Sequence, residues 1–297
     1  MNVPGEIRRL TEIAEPDVGL ITNIQRVHLE GLGSLERLKE EKGELFRRMR
    51  RDGTIVVNHD DPRVVDLAKE FPGQKITFGV EAPSDVMAKA IQVRGTRGTS
   101  FTLVFEGEER EITLPLLGRH FIPDVLSAIA VAALFGIDLE AVREVLEHYR
   151  PAPMRMEVLA LGNGSTVIND AYNANPRSME SALETLVEVK GGGRAIAVLG
   201  DMLELGDFAE EAHAQVGRRV AELSIDLLLT LGEWAPEMVR SAVRNGMEPE
   251  RTRVLENHGE AIAFLRRVVQ AGDWILIKGS RRMAMEKIIE GLIEGRG

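Results

Sequence analysis

A chain of 297 residues with 44% hydrophobic and 28% charged side chains has room for two globular domains and is neither disordered nor collagen-like in composition. Lys and Arg total 37 against 47 Asp and Glu, a formal charge of −10, which argues against a dedicated nucleic-acid binder because such affinity depends on neutralising phosphates. Zero cysteines exclude a disulfide scaffold, a thiolate metal site and a cysteine nucleophile, and fit a reducing compartment, the cytoplasm by default. No apolar run approaches the ~18–20 residues that span a bilayer, and MNVPGEIRRL reads as neither signal nor transit peptide, so membrane insertion is not expected. A small anionic substrate remains open wherever a site is locally positive.

In chain order, residues 17–24 (DVGLITNI) and 53–58 (GTIVVN) are short β-branched runs bounded by turn residues, with an amphipathic helix at 34–50 between them. A helix at about 62–70 and a strand at 75–80 continue the alternation of a parallel sheet covered by helices. From Val86 to Leu116 the pattern becomes alternating strands around RGTRGTS and EGEE, an antiparallel hairpin appendage. Helices follow at 122–135 and 139–148, the second capped by Asp138. Pro151 and Pro153 cannot extend that helix and place a domain boundary at about residue 151, giving domains of 1–150 and 151–297. The second half restarts the alternation, with strands at 166–169, 194–199, 226–230 and 273–278 and helices at about 177–189, 208–222, 234–245, 258–270 and 282–293, a doubly wound pattern.

In open α/β sheets ligands bind beyond the carboxyl ends of the strands, so those loops deserve the closest reading. After the first strand, residues 23–34 place His28 and Glu30 in a glycine-containing loop; His28 is either a hydrogen-bonded surface imidazole or a ligand. In the next helix, Leu35, Leu38, Leu45, Phe46 and Met49 define an apolar face on which Lys42 also falls. Lys42 either snorkels to the surface or is held near a compensating group, where desolvation would lower its pKa and open it to modification by carbon dioxide. Asp170, Asn173 and Asn175 crowd one strand-to-helix turn, as local hydrogen-bonding residues or as a ligand site. Gly200-Asp201-Met202-Leu203-Glu204-Leu205-Gly206 lacks the G-x-G-x-x-G spacing of a dinucleotide fingerprint. Lys278-Gly279-Ser280-Arg281-Arg282 is either a solvated basic turn or a seat for phosphate or carboxylate. No Gly-Lys pair occurs anywhere in the 297 residues, so they contain no G-x-x-x-x-G-K-[ST] phosphate loop.

Taken together and in order, NIQRVHLEGLGSLERLKEEKGELF, MRMEV, INDAYNANPRSM, VLGDMLELG and IKGSRRMAMEKI closely resemble the motifs of the Mur ligases, from Met1 to about Leu292. The resemblance implies an α/β fold: an incomplete Mur-ligase central ATPase-type domain followed by a Rossmann-like C-terminal domain. Family members begin with a domain that holds the UDP-sugar, then a phosphate loop and an acidic metal ligand, before a segment like NVPGEI. This chain therefore looks like the back two-thirds of a ligase, lacking the N-terminal domain. Two expectations follow: the neighbour of the strand carrying the phosphate loop is left unpaired, an edge that invites association, and residues 1–297 do not turn over alone.

The implied reaction is peptidoglycan precursor synthesis, in which ATP phosphorylates the terminal carboxylate of UDP-N-acetylmuramoyl tripeptide and the amine of D-alanyl-D-alanine attacks the acyl phosphate. The resemblance makes His28 a magnesium ligand and Lys42 a carbamylated residue beside it, facing the cleft between the domains. It sets Arg155 and Asp170 on the nucleotide, Asn173 and Asn175 along the cleft, Asn58 near the nucleotide, and Lys278, Ser280 and Arg281 where the incoming dipeptide is held. One departure stands out: family members commonly read G-x-H-N-x-x-N where this chain has Gly118-Arg119-His120-Phe121-Ile122-Pro123-Asp124. Phe121 would then stack on adenine and Asp124 accept from its amino group. The alternatives are a truncated, non-catalytic binding module derived from a ligase, and a nicotinamide oxidoreductase, which the missing fingerprint disfavours.

Overall fold

The computed structural model describes residues 4–25 and 34–294. The chain divides into two compact units: Met1–Gln92 with Gly98–Pro115 and Arg119–Tyr149, and Val93–Arg97 with Leu116–Gly118 and Arg150–Gly297. No described helix is long and apolar enough to cross a membrane.

The first unit runs α1 (Glu6–Ala14), β1 (Val18–Ile21), α2 (Leu35–Arg48), β2 (Thr54–Asn58), α3 (Pro62–Ala68), β3 (Gln74–Gly79), β4 (Val86–Val93), β5 (Thr99–Phe105), β6 (Glu108–Leu114), α4 (Ile122–Leu134) and α5 (Leu139–Glu147). Its six strands lie in chain order in one sheet. β1, β2 and β3 are parallel neighbours, and β2 buries Ile55, Val56 and Val57, the apolar run expected of a strand covered on both faces. Leu38 and Phe46 of α2 and Val64 of α3 pack on Ile21, Ile55 and Val57. Helix starts follow capping chemistry: the Ser34 hydroxyl accepts from Arg37 N, Asp61 from Arg63 N beside Pro62, and Asp138 from Glu140 N.

The structure differs from the sequence reading here in two ways. Helix α1 was not anticipated; its single buried residue is Thr11, so no apolar stripe announces it. The stretch from Val86 is not wholly an antiparallel appendage. β5 and β6 form the antiparallel hairpin, but β4 runs parallel to β3 through Phe78↔Val86 and Gly79↔Met87 and extends the same sheet. Alternation along β4 reports one covered face and is blind to the direction of the neighbour. Among the described residues β1 has a strand partner, β2, on one side only.

The second unit runs β7 (Glu157–Ala160), β8 (Thr166–Asp170), α6 (Pro176–Val189), β9 (Ala195–Gly200), α7 (Ala209–Glu222), β10 (Leu227–Leu231), α8 (Ala235–Arg244), β11 (Thr252–Leu255), α9 (His258–Val268), β12 (Trp274–Lys278) and α10 (Glu286–Glu294). The sheet order is β11-β10-β9-β12-β8-β7, with β7 antiparallel to β8 and the other pairs parallel. All six residues of β9 are buried. Near the amino ends of the strands, Arg194 grips Asp273 with two hydrogen bonds of 3.0 and 2.6 Å, and Asp226 accepts from Lys190 and from Ala195 N. The carboxyl ends carry the unusual residues. Strands β7 and β11 escaped the sequence reading because each is a four-residue edge strand carrying charge (EVLA, TRVL). Helix α10 begins at Glu286, later than anticipated, because a 3-10 turn at Arg281–Met283 and a left-handed Ala284 (φ 49°) precede it.

Candidate functional site

In the second unit the parallel register puts Lys278, the last residue of β12, directly beside Asp170, the last residue of β8. Neighbours in register share a face about 5 Å apart. The Lys278 ammonium, 2% exposed, donates to Asp170 Oδ2 at 2.5 Å and to the Asn173 carbonyl at 2.9 Å. The second Asp170 oxygen accepts from Met156 N at 3.2 Å, and Tyr172 N donates to the Met154 carbonyl at 3.1 Å. Arg155 is thereby carried between two anchored neighbours, with its guanidinium 4.0 Å from the centroid of the Tyr172 ring. Asn175 closes the turn by capping α6: its side chain accepts from Ser178 N while the Ser178 hydroxyl accepts from Asn175 N, and Pro176 takes the first helical position.

A second network ties the loops after β9, β10 and β12. Asp201, 3% exposed, accepts from Glu233 N and Trp234 N at 2.7 and 3.1 Å. Gly232 (φ 120°) permits that approach, since a Cβ there would lie 2.3 Å from the Asp201 carboxylate. The Asp201 carbonyl accepts from Ser280 N, and the Ser280 hydroxyl accepts from Leu203 N at 2.8 Å. His213 of α7, fully buried, takes the Met202 N–H on Nε2 at 2.9 Å and faces the Ala209 carbonyl through Nδ1 at 2.6 Å, so the neutral Nδ1–H form satisfies both partners. Its ring stacks on Trp234. Arg281 stands at the surface, paired with Glu286 at 2.8 Å.

Burial pushes the His213 imidazole below its usual value of 6.5, against the opposing pull of the Ala209 carbonyl and Asp201, and burial also raises Asp201. The sign of the His213 effect follows. Above pH ~6.5 the imidazole is neutral in both states and its bonds contribute fully; as pH falls below that value the unfolded chain protonates first and the contribution is lost. Urea midpoints measured from pH 7.5 to 5.5 are expected to fall more steeply for the unaltered chain than for His213→Gln, and equal slopes would contradict this.

In the first unit, the loop leaving β1 is pinned by β2 and α3. Asn58, at the end of β2, donates to the Thr22 carbonyl at 2.7 Å and accepts from Asp60 N at 2.9 Å. Asp61 accepts from Ile24 N at 2.7 Å. Lys42 of α2 reaches the same loop and donates to the Asn23 carbonyl at 2.7 Å. Burial lowers its pKa below the ordinary 10.5, partly offset by Asp61, so a larger fraction of the amine is neutral and nucleophilic than for a surface lysine. His28 lies outside the described residues. Phe121 and Asp124 sit at the start of α4, the acid in its first turn, where burial raises its pKa above the ordinary carboxylate value. Among the described residues no three acid or imidazole side chains converge on one point.

The structure thus brings Arg155, Asp170, Asn173 and Lys278 together in the second unit, sets Ser280 and Arg281 on the adjoining turn, and gathers Asn58 and Lys42 around the loop after β1. Sequence reasoning missed the roles of Asp201, His213 and Tyr172. A carboxylate directly after a six-residue apolar strand was the available signal for Asp201, and an imidazole within an apolar helix face the signal for His213.

Two α/β units, each with polar side chains gathered at the carboxyl ends of parallel strands, define an open-sheet α/β class of architecture whose ligands bind at those strand ends. Residues 1–132 match the Mur ligase middle domain and residues 154–281 match the Mur ligase, glutamate ligase domain. The chain belongs to the Mur ligase family. It is 33% identical over 294 residues to UDP-N-acetylmuramoyl-tripeptide--D-alanyl-D-alanine ligase of Bacillus subtilis, covering 99% of this chain and 63% of that protein. The ligase of the same description from Escherichia coli is 31% identical, with 99% and 64% covered. A crystal structure of MurF from Acinetobacter baumannii superposes with a TM-score of 0.88 at 28% identity, covering 99% of this chain and 63% of that one. MurF from Thermotoga maritima in complex with ADP gives 0.85 at 25%, covering 100% and 66%. The chain therefore spans somewhat under two-thirds of the length of the curated relatives named here.

Proposed function

We propose that residues 1–150 and 151–297 serve as the middle and C-terminal domains of an ATP-dependent, ADP-forming ligase of peptidoglycan precursor synthesis in the cytoplasm, joining D-alanyl-D-alanine to UDP-N-acetylmuramoyl tripeptide. The observation that carries this reading is the clustering of Arg155, Asp170 and Lys278 at the carboxyl edge of the second sheet, in a chain that aligns over 99% of its length with a ligase of that description. In the proposed reaction a carboxylate oxygen of the tripeptide attacks the γ-phosphorus of ATP and ADP leaves; the dipeptide amine then attacks the acyl carbon, phosphate leaves and the nitrogen releases a proton. Such chemistry depends on positioning and charge neutralisation.

Arg155 is assigned to phosphate oxygens and Asp170 to the nucleotide, with Asn173 and Asn175 in the turn that follows Asp170. Phe121 offers a stacking face for adenine and Asp124 an acceptor for its amino group. Asn58 acts by holding the loop after β1. The dipeptide is assigned to Lys278, Ser280 and Arg281, where a guanidinium suits its carboxylate and the Lys278 ammonium is held by Asp170 and the Asn173 carbonyl. Magnesium is expected with ATP, through a carbamylated Lys42 and His28, and it would supply charge neutralisation on phosphate oxygens.

The carbamate is testable by itself. Chain equilibrated with 13C-bicarbonate is expected to show one carbamate resonance that Lys42→Met abolishes; its absence from the unaltered chain would remove the modification from this account. The nucleotide assignment is tested by fluorescence titration with mant-ADP and Mg2+, where Asp170→Asn is expected to weaken binding ~10–100-fold, the effect of losing a charged hydrogen bond of ~1.5–3 kcal/mol.

A further inference from the structure

Two residues in the left-handed region flank a single side chain: Met154 (φ 61°) and Met156 (φ 52°) stand on either side of Arg155. Non-glycine residues avoid that region, and a stretch that adopts it twice persists only where its surroundings over-determine it. Here the turn after β8 does so. Tyr172 N holds the Met154 carbonyl, Asp170 holds Met156 N, and the Tyr172 ring lies under the guanidinium at 4.0 Å. Among the described residues no carboxylate lies within ion-pair distance of Arg155, whereas Arg177 and Arg194 of the same unit both have acidic partners. A ring face attracts the cation without occupying its N–H fork, which stays available to oxygen. Tyr172 is itself 42% exposed.

We propose that Tyr172 is a positioning residue: its ring fixes the Arg155 guanidinium, with donors unspent, for an anionic phosphate. The proposal rests on the reading of Arg155 as a phosphate contact and adds the residue that orients it. Because the ring is exposed, substitution leaves the packed core intact. In mant-ADP titrations of the full 297-residue chain with Mg2+, Tyr172→Leu is expected to weaken binding ~2–5-fold, while Tyr172→Phe and Tyr172→Trp retain the unaltered affinity because both keep a ring face. In an Arg155→Ala background Tyr172→Leu should have no further effect.

A readout independent of nucleotide is the NMR resonance of Arg155 Hε, expected to be shifted upfield by the ring in the unaltered chain and in Tyr172→Phe, and to lose that shift in Tyr172→Leu. If the unaltered chain fails to bind mant-ADP, the phosphate reading fails while the NMR result still decides whether Tyr172 positions Arg155. An Arg155 Hε without ring shift, equal affinities for the leucine and phenylalanine variants, or an undiminished Tyr172→Leu effect without Arg155 would each overturn the proposal.

Discussion

Residues 1–297 assayed alone are expected to release no ADP above background with ATP, UDP-N-acetylmuramoyl tripeptide and D-alanyl-D-alanine, and to gain turnover when the amino-terminal part of a curated relative is supplied in trans. The 297 residues contain no Gly-Lys pair and hence no phosphate loop. In phosphate-loop enzymes, backbone N–H groups and a lysine cradle the β- and γ-phosphates and neutralise charge as it develops. Each such contact contributes ~2–4 kcal/mol to the transition state, so the loss of several amounts to several orders of magnitude in rate. Arg155 and Lys42 do not replace them: one is a single guanidinium on a ring face, and the other, as the carbamate proposed above, carries no positive charge. A coupled ADP assay with and without the added part checks this, and turnover by residues 1–297 alone would contradict it.

Lys278→Met is expected to destabilise the second unit by ~3–5 kcal/mol, the usual effect of breaking a buried ion pair and leaving one charge uncompensated. Both groups lie deep at the ends of central strands, with side-chain exposures of 2% and 14%. Removing the ammonium strands the Asp170 carboxylate and also releases the Asn173 carbonyl. Lys278→Met combined with Asp170→Asn removes both charges and is expected to recover much of the loss, because what remains unmet is a neutral hydrogen bond. Urea unfolding of the single and double variants measures the difference; a single variant as stable as the double would show that the pair carries no such coupling.

The pairing itself marks the limit of what was legible in the sequence. Asp170 and Lys278 each stand out as a charge at the end of an apolar strand, and each was singled out. That they meet depends on β12 entering the sheet between β9 and β8, an arrangement set 108 residues apart in the chain and invisible to any local pattern. Lys42 was more accessible, because α2 carries its own periodicity and the i+7 position falls on the packed face whatever the helix packs against. The doubly wound second unit was legible because its parallel strands are uninterrupted apolar runs bounded by turns, whereas β7 and β11 at its edges were lost among charged residues. His213 illustrates the converse: its place on the apolar face of α7 marks the imidazole as buried, but its partner, the Met202 amide, lies on the loop after β9 and is set by the tertiary fold.

The central claim, that this chain supports amide formation through an acyl phosphate, is tested most directly by isotope transfer. Residues 1–297, completed in trans, would be given ATP, D-alanyl-D-alanine and UDP-N-acetylmuramoyl tripeptide labelled with 18O in its terminal carboxylate, and the products weighed by mass spectrometry. The account predicts a nucleotide product enlarged by one dipeptide and an inorganic phosphate carrying one 18O atom per amide bond formed. Release of unlabelled phosphate with no enlarged product, from a mixture in which the added part is folded and binds ATP, would contradict it.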